Sequence, residues 1–308
     1  MSYAILFPGQ GSQFVGMGKG LFEKRPDLLG SSADEILGWS LSHLCANGPE
    51  EELTRTDRAQ PALFALSYAL WKMFENLVDS PPEGAAGHSL GEYTALAAAG
   101  VFDYEEGLKI VAERGRAMDK AARAIDSGMA ALIGADEDLA ERIAEDRRAD
   151  GGRLWVANVN APGQVVLAGA ASDIEWLNEH ARDLGARRAI VLKVAGGFHS
   201  PLMEPAHRYL SSALSSVVLS EPNFPVWANF SASPDGDVAT GLIRQLSNTV
   251  RFSESLLAMR RSGITTFLHI GPGDVTAGMV RRTVADAKVF QISCIEDLDS
   301  VVGALAVR

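Results

Sequence analysis

The sequence predicts an α/β fold with a mostly parallel sheet that is interrupted by a smaller βαββαβ unit. Apolar runs at residues 3–7, 226–228 and 266–270 alternate with helical stretches, of which residues 59–78 carry apolar positions three and four apart. Strands that alternate with helices indicate a parallel sheet with helices on both faces. Between residues 127 and 194 the order becomes β-α-β-β-α-β, which is that of the ferredoxin-like unit.

Turn and capping residues mark where the predicted strands and helices of the core begin and end. The first strand ends at Pro8-Gly9, a helix over residues 90–99 ends at Gly100, and Asp103 caps the next helix. Residues 84–89 are too rich in Ala and Gly to predict a strand from propensity. Beyond residue 194 the predicted elements are a helix from Pro201, the strand at 226–228, a helix at 253–261, the strand at 266–270 and a helix after Gly273.

The order of predicted strands and helices changes in the middle of the chain, and an inserted unit explains this change. Its predicted strands lie at residues 129–133, 154–159, 164–168 and 189–194, and its helices at 136–148 and 173–184. We therefore expect two domains. Residues 1–126 and 195–308 form the core, and residues 127–194 form the ferredoxin-like insert.

Composition excludes several classes of protein. The 308 residues include 28 Lys and Arg against 39 Asp and Glu, so the net charge of −11 disfavours partners such as nucleic acid and anionic membranes. No apolar run approaches a membrane span, and the N-terminal run is too short for a signal peptide. The two cysteines, Cys45 and Cys294, have no metal-ligand spacing, and we expect neither a disulfide nor a metal site. These observations predict a soluble cytoplasmic protein.

The sharpest local motif is Gly87-His88-Ser89-Leu90-Gly91, a G-x-S-x-G run directly before a predicted helix. A nucleophile on a tight turn into a helix needs small neighbours, because the backbone is strained and the substrate must approach closely. The start of the helix also offers unpaired N–H groups to a developing oxyanion. The motif therefore predicts a serine nucleophile at Ser89, with a plain loop as the alternative.

A serine nucleophile requires a base, and His199 is the first choice among the six histidines. It lies in a Gly-rich loop between a predicted strand and a helix, where α/β sheets place their ligands. His269, inside an apolar strand, is the second choice. No acid is evident as a third member, because the candidates Asp173 and Asp183 are expected to face solvent on helices of the insert.

Two further features remain open at the level of sequence. The loop from Gly9 lacks the third glycine of a dinucleotide-binding fingerprint, so we do not expect a nucleotide there. Arg114 and Arg116 flank the apolar face of the helix that follows Asp103, and periodicity does not distinguish which arginine points into a site.

Taken together, these motifs resemble those of the malonyl-CoA:acyl carrier protein transacylase family, the free-standing acyltransferases of fatty acid and polyketide synthesis. The matching runs are in order and correctly spaced from residue 3 to about 285. They are Phe7 to Gln13, Gln60-Pro61-Ala62, Gly87 to Tyr93, Arg114-Gly115 with Met118, Asn160 to Val166, Phe198-His199-Ser200 and Gly271-Pro272-Gly273.

The resemblance implies an α/β-hydrolase-like core and assigns roles to residues of the motifs. Ser89 would accept the acyl group from coenzyme A, and His199 would act as general base and then acid. A backbone carbonyl, placed at Gln245, would orient His199 in place of a carboxylate. The N–H groups of Gln10 and Leu90 would form the oxyanion hole.

Substrate selection also follows from the resemblance. Arg114 would bind the free carboxylate of malonate as a bidentate fork, and Phe198 would leave no room for an α-methyl branch. Gln60 and Asn160 would line the substrate site. The sequence departs from its relatives at Gly196-Gly197 and at Asp274-Val275-Thr276, which bears on acyl selectivity.

The implied enzyme is a monomer that needs no cofactor. Malonyl-CoA is its thioester substrate, and the acyl carrier protein, which carries phosphopantetheine, is its partner. A basic patch would dock the acidic carrier, with Arg187, Arg188, Arg281 and Arg282 as candidates. The alternatives are a proofreading acyl hydrolase on the same scaffold and a non-catalytic module that binds the carrier protein.

Overall fold

Two separate sheets organise the chain in the computed structural model, which describes residues 2–234 and 236–306. The strands are β1 (Ala4–Phe7), β2 (Gly84–Gly87), β3 (Ser127–Ile133), β4 (Leu154–Ala161), β5 (Gln164–Ala170), β6 (Arg188–Val191), β7 (Val226–Trp227), β8 (Thr266–Ile270) and β9 (Lys288–Ile292).

Helices of very different length connect these strands. They are α1 (Leu21–Lys24), α2 (Pro26–Leu29), α3 (Ser31–Leu37), α4 (Leu41–Asn47), α5 (Glu50–Thr54), α6 (Thr56–Glu75), α7 (Gly91–Ala98), α8 (Tyr104–Ala124), α9 (Glu137–Ala149), α10 (Ala171–His180), α11 (His207–Ser215), α12 (Val238–Gln245), α13 (Phe252–Arg261), α14 (Val275–Thr283) and α15 (Leu298–Ala306). Short 3-10 helices lie at Pro201–Ala206 and Ile295–Asp297.

The first sheet has the strand order β7-β2-β1-β8-β9, and all its neighbouring strands are parallel. Side chains alternate along the central strand β1, so Ile5 and Phe7 enter one hydrophobic core and Ala4 and Leu6 enter another. Helices α6 and α8 contribute to the first core, and α13 and α14 to the second. The predicted parallel sheet with helices on both faces is confirmed.

The second sheet is antiparallel, with the order β4-β5-β3-β6. Its elements follow one another as β3-α9-β4-β5-α10-β6, and they share a small hydrophobic core of their own. The predicted ferredoxin-like unit is confirmed. Its limits as a domain, at residues 127 and 194, stay a prediction.

Close packing explains the strand that propensity missed. A Cβ atom added to Gly84 would lie 2.4 Å from the Trp227 ring, and one added to Gly87 would lie 1.8 Å from the carbonyl carbon of Gly91. Strand β2 is therefore built of small residues because its neighbours approach its backbone closely. Its place in the sheet comes from pairing with β1 and β7, which propensity does not report.

The expectation that Asp173 faces solvent is wrong. Asp173 is buried in the first turn of α10, where its carboxylate accepts hydrogen bonds from Arg147 Nε at 2.7 Å and from the backbone N–H of Arg153 at 2.8 Å. It ties α9 and the start of β4 to α10 and is engaged away from His199. Asp183 is exposed as expected.

Several boundaries also differ from the predictions, and the helix expected over residues 173–184 ends at His180. The helix expected from Pro201 begins as a 3-10 turn and becomes α-helical only at His207. The last strand of the insert ends at Val191 rather than at residue 194. Within the described ranges, no helix is long and apolar enough to cross a membrane.

Candidate active site

Ser89 occupies a sharp turn between β2 and α7. Its φ of 52° lies in the left-handed region, which non-glycine residues rarely adopt. The glycines of the motif make this turn possible, because a Cβ atom at Gly91 would lie 2.2 Å from the carbonyl oxygen of Phe7. The G-x-S-x-G run therefore forms the predicted strand-to-helix turn, with the serine at its tip.

Asn229 holds this turn from the neighbouring strand, and sequence reasoning missed it. Its Oδ1 accepts from the backbone N–H of Ser89 at 2.7 Å, and its Nδ2 donates to the carbonyl oxygen of Gly87 at 2.7 Å. Asn229 is fully buried and lies just beyond β7. A polar residue at the carboxyl end of a parallel strand was the available signal.

Ser89 and His199 are in direct contact. Ser89 Oγ lies 2.7 Å from His199 Nε2, and His199 Nδ1 lies 2.7 Å from the carbonyl oxygen of Gln245. A carbonyl oxygen can only accept, so Nδ1 carries the proton and Nε2 accepts from the Ser89 hydroxyl. This tautomer is the one that a general base for Ser89 requires. His199 also has a positive φ, of 57°.

The other candidate histidines are engaged elsewhere. His88, the neighbour of Ser89 in the motif, contacts Asn160, with its Nε2 2.7 Å from Asn160 Oδ1. His269 is fully buried, and its ring nitrogens contact Thr276 Oγ1 at 2.5 Å and the carbonyl oxygen of Gly271 at 3.0 Å. It is a core histidine whose hydrogen bonds are satisfied.

Arg114 is the arginine that points into the site. Its side chain is 0% exposed, and Nη2 donates to Ser89 Oγ at 3.1 Å. Nη1 donates to Gln60 Oε1 at 2.6 Å, and the guanidinium lies 5.1 Å from the centre of the Tyr93 ring. Burial lowers the pKa of Arg114 from its usual value. Arg116, in contrast, is exposed and pairs with Glu113.

One cavity of about 450 Å³ contains most of the residues that the sequence singled out. Ser89 and His199 line it, and Phe198 is a buried part of its wall. Its lining also includes Gln10, Gln60, Leu90, Arg114 and Asn160. Gln245 lies behind His199, outside this lining.

Gln10 and Leu90 reach the cavity from two different loops. In the part of the chain that the structure describes, the backbone N–H groups of both residues lack a protein acceptor, while the Gln10 side chain donates to Thr56 Oγ1 at 3.3 Å. Unpaired N–H groups beside a nucleophile are able to stabilise an oxyanion.

Glu92 is a buried carboxylate behind the serine turn. Its Oε2 accepts from the backbone N–H of Asn229 at 3.0 Å and from Gln245 Nε2 at 2.6 Å. Burial raises the pKa of Glu92 to about 7, although these hydrogen bonds and Arg114 act in the opposite direction. The matching run included Glu92, but no role was predicted for it.

Burial also lowers the pKa of His199, to about 3, and the positive charge of Arg114 adds to this effect. The imidazole is therefore neutral at ordinary pH and able to accept the Ser89 proton.

Among the described residues, no cluster of three or more His, Cys, Asp or Glu side chains is placed to hold a metal ion.

The family model for the acyl transferase domain matches residues 5–301. The chain belongs to this family. A malonyl CoA-acyl carrier protein transacylase from Bacillus subtilis is 40% identical over 307 residues, which cover 98% of this chain and 96% of the relative.

Solved structures agree with this assignment. An acyl-carrier-protein S-malonyltransferase from Bartonella henselae superposes with a TM-score of 0.93 at 38% identity, covering 100% of both chains. A malonyl-transacylase solved in complex with its type II PKS acyl-carrier protein superposes with a TM-score of 0.93 at 34% identity. That match covers 99% of this chain and 100% of the other.

The low pKa of His199 predicts an unusual pH dependence for the acylation of Ser89. Acylation by p-nitrophenyl acetate, a small neutral ester, is expected to stay constant between about pH 5 and pH 8, rather than fall below the usual histidine pKa of about 6.5. Arg114→Ala removes one of the causes that lower the pKa of His199, so the acid limb moves to higher pH. Stopped-flow measurement of the acylation burst at a series of pH values tests both the wild-type profile and its shift in Arg114→Ala. A wild-type midpoint near pH 6.5 would contradict the low pKa of His199.

Proposed function

We propose that this acyltransferase moves a malonyl group from coenzyme A, through an ester on Ser89, to the phosphopantetheine thiol of an acyl carrier protein. The observation that carries the proposal is Arg114, a fully buried cation that donates to the nucleophile's oxygen. Curated relatives named malonyl CoA-acyl carrier protein transacylases, at 35–40% identity over nearly the whole chain, support it.

In the first half-reaction the thioester carbon of malonyl-CoA is attacked by Ser89 Oγ. His199 Nε2 takes the hydroxyl proton, and the N–H groups of Gln10 and Leu90 stabilise the oxyanion of the tetrahedral intermediate. The intermediate collapses with loss of the coenzyme A sulfur, which receives the proton from His199. The products are malonyl-Ser89 and free coenzyme A.

In the second half-reaction the carrier's thiol reverses these steps. His199 takes the proton from the thiol, and the sulfur attacks the malonyl-Ser89 ester. The second tetrahedral intermediate uses the same two N–H groups, and His199 returns the proton to Ser89 Oγ. The carbonyl oxygen of Gln245 accepts from Nδ1 throughout and stabilises the imidazolium that forms twice in each cycle.

Arg114 is suited to recognise the carboxylate of malonate. Three of its five N–H groups donate to Gln60, Ser89 and Gln245, which leaves two, and the buried Nε has no partner among the described residues. A malonyl carboxylate that enters the cavity would replace the 3.1 Å contact of Nη2 with Ser89 Oγ and accept from the guanidinium at that position. A hydrolase that clears neutral acyl groups has no use for a buried cation, which favours the transferase over that alternative. Phe198, in the cavity wall, would limit branching at the α-carbon.

The carrier protein would dock at the mouth of the cavity. Arg281 and Arg282 are exposed on α14, the helix whose Val275 and Met279 line the cavity. Arg187 and Arg188 are exposed at the start of β6, the strand that leads into the lining residues 192–194. This placement supports a basic patch for an acidic carrier. We propose that the enzyme is a cytoplasmic monomer and uses no cofactor of its own.

The covalent intermediate predicts a mass change that depends on Ser89. Incubation with malonyl-CoA should add one malonyl mass to the intact wild-type protein, and holo carrier protein should then take that mass over. Ser89→Ala should show neither change. Intact-protein mass spectrometry checks both steps. An unchanged adduct in Ser89→Ala, or no adduct on the wild type, contradicts the proposal, and loss of the adduct to water alone would indicate the hydrolase.

The role of Arg114 predicts a change in acyl selectivity. Losing one partner of a charge-assisted pair in a closed site costs about 2–5 kcal/mol, so Arg114→Ala should lower kcat/KM for malonyl-CoA at least about 30-fold. Acetyl transfer should gain relative to malonyl transfer, because the cation that destabilises the His199 imidazolium is gone. Carrier-acylation assays with malonyl-CoA and acetyl-CoA measure the two values of kcat/KM. An equal fold-decrease with both donors would refute the role of Arg114 in carboxylate recognition.

The docking patch predicts a change in carrier affinity alone. Arg281→Glu combined with Arg282→Glu should raise KM for the carrier protein about tenfold through charge repulsion and leave kcat within about twofold. The matched control reverses Arg142 and Arg182, two exposed arginines on or beside the helices of the insert, and alters the net charge equally. Steady-state transfer at several salt concentrations is the measurement. Equal KM values for the two double variants would dismiss the patch.

A further inference from the structure

Gln245 contacts the active site through two separate groups. Its backbone carbonyl accepts from His199, as described, and its side chain is buried at the end of α12. The side-chain Oε1 accepts from Arg114 Nη2 at 2.9 Å. The side-chain Nε2 donates to the carbonyl oxygen of Ser89 at 2.9 Å and to Glu92 Oε2 at 2.6 Å. One residue thus touches the base, the nucleophile's backbone and the buried cation.

The orientation of the Gln245 amide is determined by its partners. On one side stand two acceptors, the Ser89 carbonyl and the Glu92 carboxylate, and on the other stands the guanidinium of Arg114, which can only donate. A flipped amide would turn its oxygen toward two acceptors and its nitrogen toward a donor. Glu92 therefore selects the orientation in which Oε1 faces Arg114.

The contacts that hold Arg114 leave its charge available. Gln60 and Gln245 both accept through neutral amide oxygens, and the described residues form no ion pair with Arg114. A carboxylate in either place would neutralise the guanidinium and compete with an incoming acid. In its ionised form, Glu92 places a negative charge one amide further away, which acts to raise the pKa of Arg114 without occupying its donors. The neutral amides of Gln60 and Gln245 fix the position of the Arg114 guanidinium. The more distant Glu92 offsets part of the decrease in pKa that burial causes.

We propose that the Gln245 side-chain amide, held by Glu92, positions Arg114 and thereby sets the preference for acyl groups that carry a carboxylate. This inference rests on the proposed function, because it concerns the same acyl transfer. It gives the side chain of Gln245 a role distinct from that of its carbonyl. Glu92 and the Gln245 amide are positioning groups, since they act on the substrate through Arg114.

Gln245→Met separates the two roles, because it removes the amide, keeps nearly the same volume and keeps the backbone carbonyl. The ratio of kcat/KM for malonyl-CoA to that for acetyl-CoA should fall about tenfold or more, as expected when a charge-assisted hydrogen bond is lost. Acetyl transfer should fall less than malonyl transfer, because His199 retains its backbone acceptor and the acetyl group has no carboxylate to lose. A parallel loss with both donors, or an unchanged ratio, would overturn the proposal.

A double variant tests whether Gln245 acts through Arg114. In an Arg114→Ala background, adding Gln245→Met should leave the malonyl-to-acetyl ratio within about twofold, because the group that the amide positions is absent. A further tenfold fall in that background would show an effect independent of Arg114 and would overturn the proposal. Glu92→Met should lower the ratio in the same direction, but less, since the Ser89 carbonyl still holds Nε2.

Three controls keep the outcome decisive. Asn248→Ala removes an exposed amide that donates to the carbonyl oxygen of Arg244 in the same segment, and it should leave the ratio unchanged. If Gln245→Met does not fold, Gln245→Asn gives the same comparison, because its amide is too short to reach both partners. The wild type must first form malonyl-Ser89. Its failure to do so refutes the proposed function, whereas normal loading with an unchanged ratio in the variants refutes only this inference.

Discussion

The close approach of β2 and α7 is the constraint on which the rest of the site depends. Gly87 and Gly91 lack side chains where a Cβ atom would overlap the facing backbone, so the helix begins directly behind Ser89. The serine is then held in a left-handed conformation, as is His199, which contacts it. Such conformations cost about 1–3 kcal/mol each and persist only where surrounding contacts enforce them. Asn229, which bonds to both ends of the turn, is one of those contacts.

The second feature of the site is Arg114, a buried cation close to His199. Arg114 lowers the basicity of His199, because an imidazolium would form next to a buried positive charge. Under the proposed function, the malonyl carboxylate would pair with Arg114 and relieve that penalty. Preference for a charged acyl group would then come from base strength as well as from binding. The neutral amides around Arg114 suit this arrangement, because they orient the cation without neutralising it.

The extent to which the site could be predicted differs from residue to residue. The G-x-S-x-G spacing and the loop position pointed to Ser89 and His199, and the structure brings the two side chains together. The residues alone left Arg114 and Arg116 equivalent, and only packing buries one of them. Asp173 was expected to face solvent because helical periodicity does not reveal that α9 covers that position. Asn229 carried no motif, since its partners lie 140 and 142 positions away.

The sequence by itself determined the class of the fold and the βαββαβ insert, and it predicted Ser89 as the nucleophile. It did so because hydrophobic period, turn residues and short motifs act over a few neighbouring positions. Tertiary structure alone decided that an Ala- and Gly-rich segment forms β2. It also decided that Glu92 and Gln245 meet behind Ser89. The contacts of the Gln245 side chain with Arg114, Glu92 and Ser89 span 131, 153 and 156 positions. No local pattern encodes such distances, because they are set by how strands pair and helices pack.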